Sequence, residues 1–186
     1  MTHSKNLREG EMRIALKFIT YLIGLVLVVL LAGFLLPSTY SAQRSVTINA
    51  PADKVYPLVA NVKAWKGWTV WNQRDPNMQL SYAGPESGVG AKWAWKSKTE
   101  GNGAMEFTAA EPNKRIAYAL QMEGMTPAPG DIKFEPAGNA TKVTWSMSGD
   151  AGMNPMFRWF GYFMDRLVGP DFEAGLTNLK KLAESM

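Results

Sequence analysis

The 186 residues contain no cysteine, which excludes disulfides, thiolate catalysis, iron–sulfur ligation and lipid attachment through sulfur. Histidine is nearly as scarce. The one copy, His3, precedes a long apolar run, so no imidazole is available as base, proton shuttle or metal ligand in the rest of the chain. No metal and no cofactor are therefore expected. Charge of one sign is lacking as well: 20 Lys and Arg face 16 Asp and Glu, a net of +4. Half of that excess lies in residues 1–17, where Lys5, Arg8, Arg13 and Lys17 oppose Glu9 and Glu11. The scattered remainder is too weak an electrostatic footprint for a nucleic-acid partner.

What the chain does have, early on, is an unbroken apolar segment. Phe18 to Leu36 holds 19 residues without a charge. At the rise of an α-helix it spans roughly 28 Å, close to the hydrocarbon thickness of a bilayer. It is apolar at every phase, unlike a core helix, which keeps a polar face. A cleaved signal peptide is the rival reading, because Ser38 to Ala42 supplies small residues. The apolar stretch of a signal is usually only about 7–15 residues long, however, and no clean cleavage site follows. The segment therefore reads as an uncleaved single-pass anchor. Positive charge before it places residues 1–17 in the cytoplasm and the rest on the opposite side, the periplasm in a bacterium. The expected organisation is a tail (1–17), a transmembrane helix (18–36), a stalk (37–44) and one domain (45–186). From Ser38 to Arg44 the stalk would extend at most about 25 Å and hold the domain near one leaflet.

Beyond the stalk the sequence alternates between strand and helix signals. Ser45 to Asn49 reads as a strand, and Asp53 to Asn61 as a helix weakened by Pro57. Trp65, Trp68 and Trp71 recur every third residue, as in a tight turn. Six further strands are expected at Met78–Tyr82, Ala91–Lys98, Gly103–Ala110, Arg115–Met122, Asp131–Glu135 and Thr141–Ser148, separated by Gly, Pro and Asn clusters. Their alternation puts Trp93, Trp95, Phe107, Tyr118, Met122, Trp145 and Met147 on one face, with polar residues on the other. Pro155 to Glu184 has helical periodicity. One stripe is Met156, Trp159, Phe160, Phe163 and Leu167, and a second is Phe172, Leu176, Leu179 and Ala183, with a bend or restart expected at Gly169-Pro170.

The order of strand, two short helices, six antiparallel strands and a long C-terminal helix resembles the helix-grip fold of the START-like, or SRPBCC, superfamily. Specific stretches sharpen the likeness: Asn49 to Tyr56 (NAPADKVY), Trp71 to Met78 (WNQRDPNM), Tyr82 to Ala91 (YAGPESGVGA) and Gly169 to Lys180 (GPDFEAGLTNLK) are similar to bacterial polyketide cyclase/dehydrase-like members. The resemblance covers about residues 44–184 and implies an α+β fold with a seven-stranded antiparallel curved sheet around the long helix. It also implies a cavity between the two. Iron-binding relatives need two histidines, which this chain lacks.

On that reading the candidate ligand-binding residues are Trp65, Trp68, Trp71, Arg74, Trp93, Trp95, Phe107, Tyr118, Met122, Phe134, Trp145, Met147 and Phe163. Arg74 is the candidate holder of an anionic head group, and the three tryptophans from Trp65 to Trp71 the candidate mouth. The plainer alternative is that the aromatic and methionine face simply fills the core. Function is read as binding of a hydrophobic or amphipathic small molecule, with lipid one candidate, beside the membrane. The alternatives are a polyketide cyclase/dehydrase-like enzyme and an interaction module of the cell envelope. No catalytic residues are assigned: Asp165 and Tyr118 are the least poor, and Glu106 falls out of phase with the apolar face. The enzyme reading requires a buried carboxylate with raised proton affinity near the cavity. The oligomeric state is not legible.

Overall fold

A computed structural model describes the backbone of residues 2–186 and the side chains of residues 12–186. The side chains of His3, Lys5, Arg8, Glu9 and Glu11 lie outside the described residues. The helix α1 runs Thr2–Gly33, so from Thr2 onward the backbone of the segment expected as a tail is part of the same helix. Phe34 to Leu36 turn out of it and Pro37 follows, because a proline cannot continue the ladder. Within α1 the stretch Met12–Gly33 is long and apolar enough to cross a membrane, and its most apolar window has no residue buried by the rest of the protein.

The strand β1 spans Thr39–Ile48, correcting the expected start at Ser45. The residues read as a stalk are paired antiparallel with the last strand, from Thr39 opposite Asp150 to Ile48 opposite Thr141. Alternation was present there but disguised. Tyr40, Ala42, Arg44, Val46 and Ile48 share a face, and the charged member of that set is held by Asp165 through hydrogen bonds of 2.7 and 3.1 Å. Only residues 34–38 connect α1 to β1.

After β1 come α2 (Ala52–Ala60), a 3-10 turn at Ala64–Gly67 and the short α3 (Val70–Arg74). The remaining strands are β2 (Gln79–Ala83), β3 (Lys92–Lys96), β4 (Gly103–Glu111), β5 (Arg115–Met122), β6 (Ala128–Ala137) and β7 (Ala140–Asp150). Together they form one antiparallel seven-stranded sheet in the order β1-β7-β6-β5-β4-β3-β2. An irregularity between Phe107 and Ala109 gives β4 an extra residue opposite β5, a device that bends a sheet.

The long α4 (Pro155–Glu184) is one continuous helix with Pro170 inside it, so the expected restart at Gly169-Pro170 does not occur. Asn154 caps it, accepting from the Met156 amide at 3.0 Å, with Pro155 at the first helical position. Its second half buries Phe172, Leu176, Leu179 and Ala183, as the periodicity indicates. The first half does the reverse. Its inward positions are Gly161, Met164 and Gly169, while Met156, Phe160, Phe163 and Leu167 are exposed. The reason is steric: a Cβ at Gly161 would lie 2.9 Å from the Tyr40 ring and one at Gly169 would lie 2.0 Å from the Arg44 guanidinium. Side chains from β1 fill the space that a bulky apolar stripe would otherwise occupy.

Candidate functional site

Three indoles from the 3-10 turn, α3 and β7 build the floor between sheet and α4. The Trp65 ring is a hub, with centroids 4.7 Å from Trp68, 4.8 Å from Trp93 and 5.5 Å from Trp145. Its indole N–H donates to the Val59 carbonyl at 2.7 Å, and that of Trp68 to the Leu58 carbonyl at 3.0 Å. Both acceptors lie in the last turn of α2, where helix carbonyls have no intrahelical partner. The tryptophans thus complete the end of the helix that precedes them, which buries their polar edge at no loss of hydrogen bonding. Trp145 stacks on Phe172 of α4 at 4.1 Å and donates to the Tyr118 hydroxyl at 2.7 Å.

Above this floor lies a cavity of about 270 Å³, walled by the concave face of the sheet and the middle of α4. Of the residues named from sequence, eight line it: Trp65, Trp71, Trp93, Trp95, Tyr118, Met122, Trp145 and Met147. Five do not. Trp68 is fully buried behind the floor, beside Trp145 and Gly175. Phe107 is fully buried against Trp65 and Trp93, and Phe134 packs edge-on to Tyr56 at 5.5 Å. Phe163 is exposed on the outer side of α4, against Trp159 and Tyr162.

Arg74 is the fifth, and its expected role as a head-group holder is not what the geometry gives it. Its guanidinium bonds Asp171 of α4 and lies 3.3 Å from Glu100 in the β3–β4 connection, so two carboxylates already claim it. Asp171 also accepts from the Trp71 indole at 2.9 Å. The neighbouring Asp75 accepts from the Ser97 hydroxyl at 2.6 Å. This network ties α3 and the β3–β4 connection to α4 along one border of the cavity.

Sequence reasoning missed several lining residues: Tyr40, Met78, Leu80, Met105, Leu120, Met164 and Phe172. Met105 and Leu120 were recoverable, since they share the phase of Phe107 and Tyr118. Tyr40 was hidden because its strand was read as a stalk. The methionines among the lining give the wall side chains that reshape readily around varied apolar guests.

Polar groups are few. Tyr118 is the deepest, its proton affinity raised by burial and its hydroxyl occupied by Trp145 and, at 3.3 Å, by the Ser146 carbonyl. A phenol so placed stays neutral. Thr69, itself buried, donates to the Asn72 side-chain oxygen at 3.0 Å within the lining. Glu100, whose side chain is 17% exposed, is the one acidic residue of the lining and is paired with Arg74. Among the described carboxylates, the clear shifts, at Glu86, Asp150 and Asp165, are all downward, each caused first by a hydrogen bond, to Lys63, the Gly152 amide and Arg44 respectively. Asp165 is thus committed to Arg44 where α4 meets β1, and nothing pairs it with Tyr118. Among the described residues no three His, Cys, Asp or Glu gather as a metal site would require.

Residues 39–184 match the family model described as polyketide cyclase/dehydrase and lipid transport. No curated protein sequence matches the chain. Solved structures share its fold at low identity. The di-domain ARO/CYC BexL from the BE-7585A biosynthetic pathway is 20% identical with a TM-score of 0.56, over 79% of this chain and 50% of that one. A Thermobifida fusca protein solved by NMR is 20% identical with a TM-score of 0.57, over 77% of this chain and 92% of its own. A Thermus thermophilus protein is 14% identical with a TM-score of 0.57, over 78% of this chain and 97% of its own.

Proposed function

Because this chain belongs to the polyketide cyclase/dehydrase and lipid transport family, an SRPBCC-type ligand-binding family, we propose that its domain binds one small hydrophobic or amphipathic molecule beside a membrane. The observation that carries this reading is the cavity of about 270 Å³, walled by indoles, aliphatic residues and methionines with few polar groups. Its volume lies just under the range of roughly 300–1,000 Å³ usual for ligand pockets. It suits a compact ring system or a single acyl chain in preference to a two-chain lipid. The α1 segment Met12–Gly33 supports the second half of the proposal: an apolar helix that the domain leaves uncovered is stable when hydrocarbon surrounds it. Lys5, Arg8, Arg13 and Lys17, before the uncharged run that starts at Phe18, orient the domain away from the cytoplasm.

The wall provides its own reporter, since Trp65, Trp71, Trp93, Trp95 and Trp145 all line the space. Full-length protein in nanodiscs is titrated with a polyene fatty acid whose absorption overlaps indole emission. A saturable component of energy transfer is expected above the linear transfer from probe dissolved in the bilayer to Trp159, and Leu120→Trp, which fills the space from β5, should abolish that component while leaving the circular dichroism unchanged. A missing saturable component, or one that Leu120→Trp leaves intact, would falsify the binding reading.

A further inference from the structure

The exposed stripe on the first half of α4 is continuous with α1. Met156, Phe157, Phe160, Tyr162, Phe163 and Leu167 are each at least 38% exposed, an apolar patch of the kind that soluble surfaces rarely leave bare. Two side chains of the same half-helix bind the end of α1. The Trp159 indole donates to the Val29 carbonyl at 2.8 Å, and Arg158 donates to the Phe34 and Leu36 carbonyls at 2.9 and 3.1 Å. Gly33 sits so close to Pro155 that a Cβ there would lie 2.7 Å from the proline carbonyl oxygen. Val29 is four residues before the end of α1, about 6 Å along the axis, so Trp159 lies alongside the final turn of that helix. The depth of that turn therefore sets the depth of the stripe.

Strand register shows which end of the cavity faces this junction. Tyr40 pairs with Gly149 on β7, Met147 on β7 pairs with Gly130 on β6, and Ala128 on β6 pairs with Leu120 on β5. The β5–β6 connection thus leaves the sheet at the edge where β1 begins, only six residues after α1 ends. That connection carries Met125 and Thr126, which with Phe160 are exposed members of the cavity lining. Tyr40 and Met164 line the wall between them.

We propose that the first half of α4 rests in the interfacial layer of the leaflet from which α1 emerges, and that the cavity opens to lipid there, between Phe160 and the Met125 loop. This rests on α1 spanning the membrane. Bilayer is the occupant the structure favours, because whatever surrounds the last turn of α1 also reaches a stripe bonded directly to it. Interfacial helices commonly bury an apolar face about 5–10 Å into the headgroup and acyl boundary, and tryptophan and tyrosine concentrate at that level.

The absence of cysteine makes the test clean. Single cysteines replace Phe157, Met125, Val26 in α1, and Asn139 in the β6–β7 turn at the opposite end, one per full-length variant. Each is labelled with an environment-sensitive fluorophore and reconstituted in phosphatidylcholine–phosphatidylglycerol vesicles with or without brominated acyl chains. Quenching by brominated lipid is expected at Phe157→Cys and Met125→Cys, several-fold above that at Asn139→Cys, with Val26→Cys quenched most. If the first two match Asn139→Cys while Val26→Cys is quenched, the span stands and the docking is wrong. A blue shift at Phe157→Cys without quenching means that protein covers the stripe, which also overturns the proposal. If Val26→Cys itself is unquenched, the spanning helix fails and the docking fails with it. Ligand titration of the same samples reports separately on the cavity.

Discussion

Tyr118 and Gly130 face each other across β5 and β6, and their sizes are interdependent. A Cβ at Gly130 would stand 2.0 Å from the Tyr118 ring. Gly130→Ala should therefore destabilise the domain by about 1–3 kcal/mol, the usual cost of overpacking a core, seen as a lower urea midpoint. Tyr118→Phe keeps the ring but strands the Trp145 indole donor. Its expected signature lies in pH dependence. The Tyr118 phenol is raised above its ordinary value of 10.0, first by burial, so the unfolded chain loses this proton before the folded one does. Below pH 10 the group contributes no slope; from there upward stability falls, because the folded state holds the proton longer. Wild-type protein should lose stability steeply on passing pH 10 while Tyr118→Phe loses it more gradually, as checked by denaturant titrations across pH 8 to about 11. Tyr40 and Tyr56, raised mainly by burial, keep part of the slope in both proteins.

At the scale of elements, β1 and α4 are joined by polar contacts in mid-strand and at its end. Arg44, midway along β1, reaches Asp165, and just past the strand the Asn49 amide donates to Glu184 at 2.7 Å. The Arg44 and Asp165 side chains are 29% and 52% exposed, so solvent screens much of their attraction. A double-mutant cycle of Arg44→Ala and Asp165→Ala should give a coupling below about 1 kcal/mol that shrinks in high salt. A larger value would mean that the pair acts within a wider network. The α1–α4 junction depends on Arg158. Arg158→Ala should leave the melting temperature of the domain within a few degrees of wild type but raise amide exchange at Phe34 to Thr39. Unchanged exchange there would show that Trp159 and Gly33 suffice to hold the junction.

At the scale of the whole molecule, ligand and fold stability are linked. A guest at about 100 times its dissociation constant should add about 2.7 kcal/mol to the folded state, raising the melting temperature of wild type and not of Leu120→Trp. Much of the architecture was legible because strands with one buried face must alternate, as the inward run Trp93, Met105, Phe107, Tyr118, Trp145 shows. Legibility failed where a side chain was satisfied from far away in sequence. Arg44 masks β1 because its partner Asp165 is 121 residues distant, and Arg74 reads as a head-group holder because its partner Asp171 is 97 residues away. The stripe of Phe160, Phe163 and Leu167 obeys helical periodicity but faces outward, since periodicity reports that a face is apolar and not what covers it. By itself the sequence determined local matters: an uncharged helix long enough to cross a bilayer, the elements of an antiparallel sheet, a covering helix, and the absence of thiol or imidazole chemistry in the domain. Tertiary structure alone decided which aromatics stop short of filling the interior, which ion pairs form, and that only the turn from Phe34 to Ser38 separates α1 from the sheet, with the last turn of α1 fastened to α4. Those outcomes depend on contacts between distant residues, and no local pattern encodes them.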